Sequence, residues 1–378
     1  MKIFSISEGA VKLQVPQAKR IYDAPVFYNP VMRLNRDISV LIAKVLKFRS
    51  AVDLLAATGI RGLRLKKEAG VQEVYINDVN PDAVKLIKKN AKLNKVSVHT
   101  SNLRAHEFLA TRWKLKHAKF DYVDVDPFGT PVPFLDAAVK ALNPNGGVIG
   151  VTATDTAALC GSAPAACLRK YGSKPLRNYL MHELGIRILL KKVIEVGAQY
   201  DLALTPIFCH ATQHYMRVYL KADEGAGVTD DLLKNIGPFQ GAGPMWLGPL
   251  WDEKLVEQIH KLSRTSRLSH EISLRKAESK RIAKEFGVEV PTKFDTVYDT
   301  EKLLFTIRGE SKIPTFGFFE LAEFKLGQVP RIHKVVEKLQ EKGYKAARTH
   351  FSGTGIRTDA NLSNFLKVTK ALIKIKPD

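Results

Sequence analysis

The sequence predicts an α/β fold, built on a mostly parallel sheet that finishes with an antiparallel hairpin and is followed by a smaller α+β domain. Short apolar strand patterns alternate with helical patterns between residues 52 and 197, as expected for parallel strands joined by helices. Two strand patterns, 202–210 and 214–222, then follow each other across a short turn. Gly- and Pro-rich stretches at 223–231 and 237–251 are the predicted linker.

The element boundaries follow from hydrophobic periodicity and from capping and turn residues. Asn80 and Pro81 mark one helix start, because an Asn side chain caps the first turn and Pro fits the first helical position. Gly70 marks the end of the preceding helix. Strands are predicted within 3–15, 52–62, 73–79, 96–102, 120–129, 146–155, 202–210 and 214–222, and helices near 35–48, 62–69, 80–94, 104–116, 133–142 and 175–197.

The chain of 378 residues is long enough for two domains, each with its own core. We expect the first domain to cover residues 1–235, including the N-terminal strands, and the second to cover 236–378. The helical patterns of the second domain lie at 252–262, 267–286, 300–308, 318–326, 329–342 and 361–374.

The net charge favours a nucleic-acid partner. Subtracting 38 Asp and Glu from 59 Lys and Arg gives +21. Residues 325–378 are strongly basic, with twelve Lys and Arg against four Asp and Glu. A positive field of this size attracts phosphate polymers, so RNA or DNA is the expected partner.

No run of 18 apolar residues is present, and the N-terminal residues alternate between polar and apolar instead of forming a signal peptide. We therefore expect a soluble, cytoplasmic protein without a membrane partner. Cys160, Cys167 and Cys209 are too few and too scattered for a disulfide framework or a four-thiolate zinc site. Buried, reduced thiols and no metal site are expected.

Three strand ends carry residues suited to chemistry, because ligands of open parallel sheets bind beyond the carboxyl ends of the strands. Gly59 lies in the turn after the first strand of the alternating region and lets the backbone approach a cofactor, although GxGxxG is absent. Asp78 ends the next strand, where a carboxylate can accept hydrogen bonds from both hydroxyls of a ribose. The strand that ends at Asp126 also contains Asp121 and Asp124, and three acids in an apolar strand require partners or solvent.

The segment Asp126-Pro127-Phe128-Gly129 suits methylation of a planar amine. The exocyclic nitrogen of a nucleobase is a poor nucleophile because its lone pair is delocalised into the ring. The Asp126 carboxylate and the Pro127 carbonyl can each accept one N–H and orient the amine, while Phe128 offers a stacking face. This mechanism requires neither a metal nor a covalent enzyme intermediate.

Each of these features also has a purely structural explanation. Gly59 is equally compatible with tight packing, and Asp78 with a cap or turn before the following helix. The tetrad that starts at Asp126 is also a common β-turn pattern. The order of the three features along the chain favours the functional interpretation.

Long segments of the chain carry a more specific signal. They are VFYNPVMRLNRDIS, AATGIRGLR, YINDVNPDAV, DVDPFGTPVPFLDAA, TDTAALCGSAPAACLRKYG and YKAARTHFSGTGIRTDA. In sequence and order they resemble the Trm1 family, the tRNA (guanine-N2)-dimethyltransferases that use S-adenosylmethionine. The resemblance covers most of the chain. It implies a Rossmann-like class I methyltransferase domain over 1–235 and a tRNA-positioning domain over 236–378.

The resemblance also implies the reaction and its residues. One or two methyl groups would pass from S-adenosylmethionine to N2 of the guanine at tRNA position 26, with tRNA as partner and no obligate protein partner. The expected cofactor contacts are Arg36, Thr58, Gly59, Arg61, Asp78, Val79, Arg104 and Ala105. The expected substrate contacts near the guanine are Phe27, Asn29 and Phe134. On the basic C-terminal part the charge, and not the resemblance, makes Arg348, His350, Arg357 and Lys367 candidates for contacts with the RNA. Phe27 and Phe134 are equally suited to core packing.

Two departures from the family pattern affect these expectations. Many members have a Cys-x-x-Cys zinc element before the GPLW segment, whereas this chain has no cysteine there. Before Ala105 the family usually has an acidic residue, whereas this chain has Asn102 and Arg104, so the adenine contact differs.

Two alternative functions remain open at this stage. Acid-Pro-aromatic tetrads also serve amine methyltransferases that act on adenine N6 or on a protein glutamine. A non-catalytic RNA-binding protein with a lost cofactor pocket is the second alternative. Intact Arg61, Asp78 and Asp126 argue against it.

Overall fold

A computed structural model describes residues 3–16, 23–111, 119–212, 214–264, 300–324 and 329–374 of the protein. The strands within these ranges are β1 (Ile3–Glu8), β2 (Val11–Pro16), β3 (Ser50–Asp53), β4 (Glu73–Asn77), β5 (His99–Ser101), β6 (Tyr122–Val125), β7 (Val148–Ala153), β8 (Leu202–Thr212), β9 (Tyr215–Glu224), β10 (Ile236–Phe239), β11 (Ala242–Trp246), β12 (Phe319–Glu320), β13 (Ala346–Arg348) and β14 (Gly355–Thr358).

The helices in the same ranges are α1 (Arg33–Leu46), α2 (Ile60–Lys67), α3 (Pro81–Leu93), α4 (Ala105–Ala110), α5 (Val132–Lys140), α6 (Thr156–Leu159), α7 (Pro164–Tyr171), α8 (Met181–Ala198), α9 (Ala226–Leu233), α10 (Glu253–Ser263), α11 (Thr300–Glu310), α12 (Ile332–Glu341) and α13 (Leu362–Lys374). None of these helices combines the length and the hydrophobicity needed to cross a bilayer.

A seven-stranded sheet in the order β5-β4-β3-β6-β7-β9-β8 forms the centre of the molecule. Strands β3 to β7 are parallel, whereas β9 is antiparallel to β7 and to β8. The predicted parallel sheet with a terminal hairpin is therefore confirmed. The chain runs outward from β3 through β4 to β5 and returns to β6 on the other side of β3, so the strand order reverses between β3 and β6.

The N-terminal hairpin β1–β2 packs against this sheet domain. Two Asn side chains, one on α3 and one directly after it, bind its second strand, since Asn90 Oδ1 accepts from Gln14 N at 2.8 Å and Asn94 Oδ1 accepts from Lys12 N at 2.9 Å. Val11 and Leu13 belong to the large hydrophobic core. The predicted strands within 3–15 are thereby confirmed.

The predicted linker is folded, which corrects the sequence-based expectation. Residues 226–233 form α9, and residues 236–246 form the hairpin β10–β11, which contacts α8. Ala242, Met245 and Trp246 on this hairpin are buried. Gly and Pro hide the two-residue periodicity of such short strands, so the pattern resembles a linker.

The C-terminal elements build a second, smaller core. Antiparallel strands in the order β12-β14-β13 pack with α12 and α13 around Leu321, Leu339 and Phe365. The helix predicted at 318–326 is wrong, because 319–320 form β12 and 321–323 form a single 3₁₀ turn. The helix predicted at 267–286 lies outside the described residues. The division between 235 and 236 stays a prediction.

Candidate active site

Exposed apolar side chains mark the carboxyl edge of the central sheet. Val79 follows β4 and is 59% exposed, Leu103 follows β5 and is 36% exposed, and Phe128 follows β6 and is 68% exposed. All three strands point the same way, so these side chains emerge at one edge of the sheet. Exposed apolar groups at the point where the strand order reverses indicate a ligand cleft.

Asp78 borders this cleft and is held by two backbone N–H groups. Its Oδ2 accepts from Ala57 N at 2.7 Å, and its Oδ1 accepts from Asn80 N at 2.8 Å. The turn interpretation is thus correct, but each carboxylate oxygen still has a second lone pair with which it can accept from a hydroxyl. The two interpretations of Asp78 are compatible.

The residues after β5 depart from the family pattern in the way the sequence indicates. Asn102 Nδ2 donates to the carbonyls of Asp78 and Val79, both at 2.9 Å, and so fixes the backbone beside the cleft. The Arg104 side chain is 71% exposed at the start of α4, whereas Ala105 is buried. The sequence analysis named Asn102 as a departure from the family pattern but not as a site residue. Its amide, which can donate two hydrogen bonds, is the signal that could have identified this role.

The turn before α2 is shaped by packing. Gly59 has φ of +76°, and a Cβ there would lie 2.8 Å from Ile87 Cγ1 on α3. Thr58 is buried, and its carbonyl accepts from Asn90 Nδ2 at 3.3 Å. Close packing against α3 therefore requires this glycine, and its contact with a cofactor stays a prediction.

Asp126 follows β6 and faces both the cleft and a buried cation. Its Oδ2 forms an ion pair with Arg61 Nη2, while its side chain stays 20% exposed. Arg61 Nη1 also donates to Asn35 Oδ1 at 3.0 Å and to Ser39 Oγ at 2.6 Å. Arg61 is only 4% exposed, so its guanidinium holds Asp126 from the protein side.

A second carboxylate, Asp124, lies behind this pair. Its Oδ1 is 3.0 Å from Arg61 Nε, and its Oδ2 is 2.5 Å from Arg217 Nη2. Burial would lower the pKa of Arg61, but Asp124 and Asp126 raise it above its usual value. Burial and the Asp124 charge raise the pKa of Asp53, at the end of β3, to about 7.

The partners that the sequence requires for the three acids near β6 are all present. Asp121 Oδ2 accepts from Arg49 N at 2.9 Å and from Ser50 N at 3.1 Å, while Asp124 and Asp126 pair with arginines. Arg217 comes from β9, far along the chain, and sequence analysis missed it. Nothing local in the sequence singles it out.

Aromatic residues extend the cleft beyond Asp126. The Phe27 and Phe128 rings pack edge to face, with centroids 4.7 Å apart. Phe134, on α5, is partly buried and packs against the large core, as its structural interpretation predicts. Asn29 caps the following 3₁₀ turn, since its Oδ1 accepts from Val31 N at 2.9 Å.

Arg36 is anchored within the protein by Glu8. Its Nε and Nη2 donate to the two Glu8 oxygens at 2.7 and 2.6 Å, and Nη2 also donates to the Asn29 carbonyl at 3.0 Å. Burial would raise the pKa of Glu8, but Arg36 and Arg64 hold it well below its usual range. Sequence analysis missed Glu8, the hairpin residue that fixes Arg36.

The predicted RNA contacts of the C-terminal part need correction. Arg348 is exposed, as expected. Arg357 is fully buried and pairs with Glu183 Oε2 at 2.7 Å, and the His350 side chain is 2% exposed and pairs with Glu310 Oε2 at 2.5 Å. Side chains enclosed in this way present no surface to an RNA, so Arg357 and His350 join α8 and α11 to the C-terminal strands instead.

The cysteines and the possible metal ligands are the remaining candidate groups for chemistry. Cys160, Cys167 and Cys209 are free and buried, which confirms the prediction for them. Burial raises the pKa of Cys160 and of Cys167 to about 11, so neither is an activated nucleophile. Within the described ranges, no group of three His, Cys, Asp or Glu is arranged to hold a metal ion.

Comparisons with known proteins agree with this geometry. The family model described as N2,N2-dimethylguanosine tRNA methyltransferase matches residues 9–240 and 234–370. The tRNA (guanine(26)-N(2))-dimethyltransferase of Thermococcus kodakarensis is 38% identical over 98% of this chain and 100% of its own. The tRNA (guanine(26)-N(2)/guanine(27)-N(2))-dimethyltransferase of Aquifex aeolicus is 34% identical over 97% of this chain and 96% of its own.

A solved structure extends the comparison to three dimensions. Trm1 from Pyrococcus horikoshii, in complex with S-adenosyl-L-methionine, superposes with a TM-score of 0.81 at 33% identity and covers 97% of this chain and 99% of its own. The predicted fold class, methyltransferase activity and cofactor are thereby confirmed. With its fold, cleft and sequence in agreement, the chain belongs to the N2,N2-dimethylguanosine tRNA methyltransferase family.

Proposed function

We propose that this chain methylates N2 of the guanine at position 26 of tRNA and that the reaction takes place at the carboxyl edge of the central sheet. The observation that carries the proposal is the placement of Asp126, partly exposed beside the exposed Phe128 ring, in a family of guanine-N2 methyltransferases. The relatives act on the same position of tRNA by name.

The cleft fits S-adenosylmethionine. Asp78 offers carboxylate oxygens to ribose hydroxyls, and the exposed Val79 and Leu103 offer apolar faces to an adenine ring. In this proposal the backbone of Thr58 and Gly59, before α2, and the buried Ala105, at the start of α4, also line the cofactor site. When bound, this cofactor supplies an electrophilic methyl carbon.

Arg36 and Arg61 support the cofactor cleft from behind in this proposal. Glu8 holds Arg36, and four protein groups hold Arg61, so both side chains are positioned without a ligand. Arg104 is too exposed to enclose a ligand on its own. It therefore contributes charge at the rim of the cleft.

Asp126 orients the amino group. Arg61 fixes one carboxylate oxygen, so the group presents a defined acceptor to one N–H of the guanine. The Pro127 carbonyl accepts the second N–H, and Phe128 and Phe27 stack against the base. Asn29 and Phe134 belong to the segments that shape this end of the cleft.

The tRNA must present an unstacked base. Extrusion of the guanine costs a few kcal/mol, which contacts with phosphates must offset. Exposed basic residues of the C-terminal part are suited to this, namely Arg331, Lys334, Lys342, Lys345, Arg348, Lys367 and Lys370. A cytoplasmic location and the absence of an obligate protein partner remain predictions.

The test compares acceptors. The protein is incubated with methyl-labelled S-adenosylmethionine and an unmodified tRNA transcript, with the same transcript carrying adenosine at position 26 as matched control. Label in the first transcript alone, found by mass spectrometry as mono- or dimethylated guanosine, supports the proposal. Label in DNA or protein acceptors instead would favour the other amine methyltransferases, and no transfer with no cofactor binding would favour a non-catalytic RNA binder.

A further inference from the structure

A cavity of about 310 Å³ lies beside the proposed active site and has no assigned role. One wall is formed by the 154–162 segment, part of a motif that the cofactor and guanine contacts leave unused. The start of α8 and the turn between β8 and β9 form the other walls. The lining includes Thr156, Arg177, His182, His214 and Met216.

The lining of this cavity suits an anionic ligand. It contains one arginine, Arg177, and two histidines, His182 and His214, together with four hydroxyl side chains and no carboxylate. Arg177 is exposed and forms no ion pair with any residue of the described ranges. By contrast, the larger cavity near β8 and α10 contains three acidic side chains among its lining residues.

The cavity opens at the same sheet edge as Asp126. Gly129, at the end of the tetrad, donates its N–H to Thr154 Oγ1 at 2.7 Å, and its carbonyl accepts from Thr154 N at 2.9 Å. Thr156, two residues later, lines the cavity, and Met216 on its far side pairs with Ala153 of β7. Adjacent strands lie about 5 Å apart, and β7 and β9 are the next two strands after β6 in the sheet, so the cavity is close to the β6 end.

We propose that this cavity binds the nucleotide next to the extruded guanosine, with Arg177 contacting its phosphate. The inference rests on the proposed function, because it requires an RNA strand that enters the cleft at Asp126. A volume of about 310 Å³ is at the lower end of small-ligand sites, about 300–1,000 Å³, and accommodates a single nucleotide. Extrusion of a base displaces the backbone on both sides of it, so binding of the neighbouring nucleotide stabilises the extruded state.

The test combines Arg177→Ala with a neutral phosphate in the tRNA. Arg169→Ala is the matched control, because Arg169 is an exposed arginine on α7 that does not line the cavity. Transcripts carry a single methylphosphonate on the 5′ or on the 3′ side of the target guanosine. We expect Arg177→Ala to raise the Kd for native tRNA about tenfold, as for one charge-assisted contact, and cofactor affinity to stay unchanged.

The neutral phosphate distinguishes a contact from a general charge effect. At one of the two positions the methylphosphonate should weaken wild-type binding about tenfold and Arg177→Ala binding hardly at all. His214→Glu, which places a carboxylate in the cavity, should weaken binding further. Equal Kd values of Arg177→Ala and Arg169→Ala for native tRNA would overturn the subsite. So would a methylphosphonate that weakens tRNA binding by Arg177→Ala as much as binding by the wild type at both positions. Either result would leave the methylation of tRNA intact. A wild-type protein that transfers no methyl group to tRNA would overturn both proposals.

Discussion

Gly59 and Gly70 lie at opposite ends of α2 and provide a matched pair for testing how the cofactor turn is built. Their φ angles are +76° and +73°. A Cβ at Gly59 would lie 2.8 Å from Ile87 Cγ1, whereas a Cβ at Gly70 would meet no atom within 4 Å. Alanine at either position imposes the same backbone strain, but only alanine at Gly59 also clashes with α3.

The backbone strain and the clash with α3 each have a typical free-energy cost. A left-handed conformation costs an L-residue about 1–2 kcal/mol, and one extra methyl group in a packed core costs about 1–3 kcal/mol. Gly70→Ala should therefore lower the free energy of unfolding by about 1–2 kcal/mol, and Gly59→Ala by about 2–5 kcal/mol. The difference between the two variants measures the clash alone.

Urea denaturation of both variants measures these losses, and titration with S-adenosylmethionine measures cofactor affinity separately. Ile87→Ala completes a double-mutant cycle. Truncating this buried side chain costs about 2–5 kcal/mol in the wild type and should cost less beside Gly59→Ala, because the new methyl group occupies the vacated space. Equal losses for Gly59→Ala and Gly70→Ala, with no coupling to Ile87, would refute the packing argument and leave a role in cofactor binding alone.

Three further predictions concern the charged groups. Asp126→Asn should lower the single-turnover rate about 10²- to 10³-fold with cofactor and tRNA affinities retained, and an unchanged rate would reject the proposed role. Arg357→Met removes the buried cation that Glu310 shares with Glu183, leaves Glu183 with Arg187 alone, and should cost about 3–5 kcal/mol of unfolding free energy. Arg348→Met should leave stability unchanged and weaken the salt dependence of tRNA binding. Asp53 keeps a proton in the folded protein up to a pKa of about 7, whereas the unfolded chain loses it near pH 4. The contribution of Asp53 to stability should thus fall as the pH rises from 4 through 7, so the melting temperature of the wild type relative to that of Asp53→Asn should fall over that range.

The sheet and its strand ends could be predicted from sequence because their signals are local. Asn80 caps α3 by accepting from Asp82 N at 2.9 Å, and Pro81 occupies the first helical position, as the pattern indicates. Asp78 and Asp126 follow their strands directly, so a correct strand assignment also locates them at the sheet edge. Strand direction then brings them to one cleft without any further information.

Burial of charged residues could not be predicted, because it depends on contacts between distant segments. Arg357 looks like part of a basic RNA-binding stretch, yet its partner Glu183 is 174 residues away on α8. His350 is likewise removed from the surface by Glu310, 40 residues away. A count of basic residues therefore overestimates the RNA-binding surface unless each acidic partner is known.

Arg61 links the buried charges to the proposed reaction, and its shape matters as much as its charge. A guanidinium has N–H groups on three nitrogens in one plane, so Arg61 contacts Asp124, Asp126 and Ser39 at once. A lysine ammonium at that position keeps the charge but cannot span these partners, which leaves Asp126 free to rotate. Arg61→Lys should therefore lower kcat by about the factor expected for Asp126→Asn, with KM for tRNA nearly unchanged at temperatures where the variant is folded. A wild-type kcat in a folded Arg61→Lys variant would show that the orientation of Asp126 by Arg61 is unnecessary for methyl transfer.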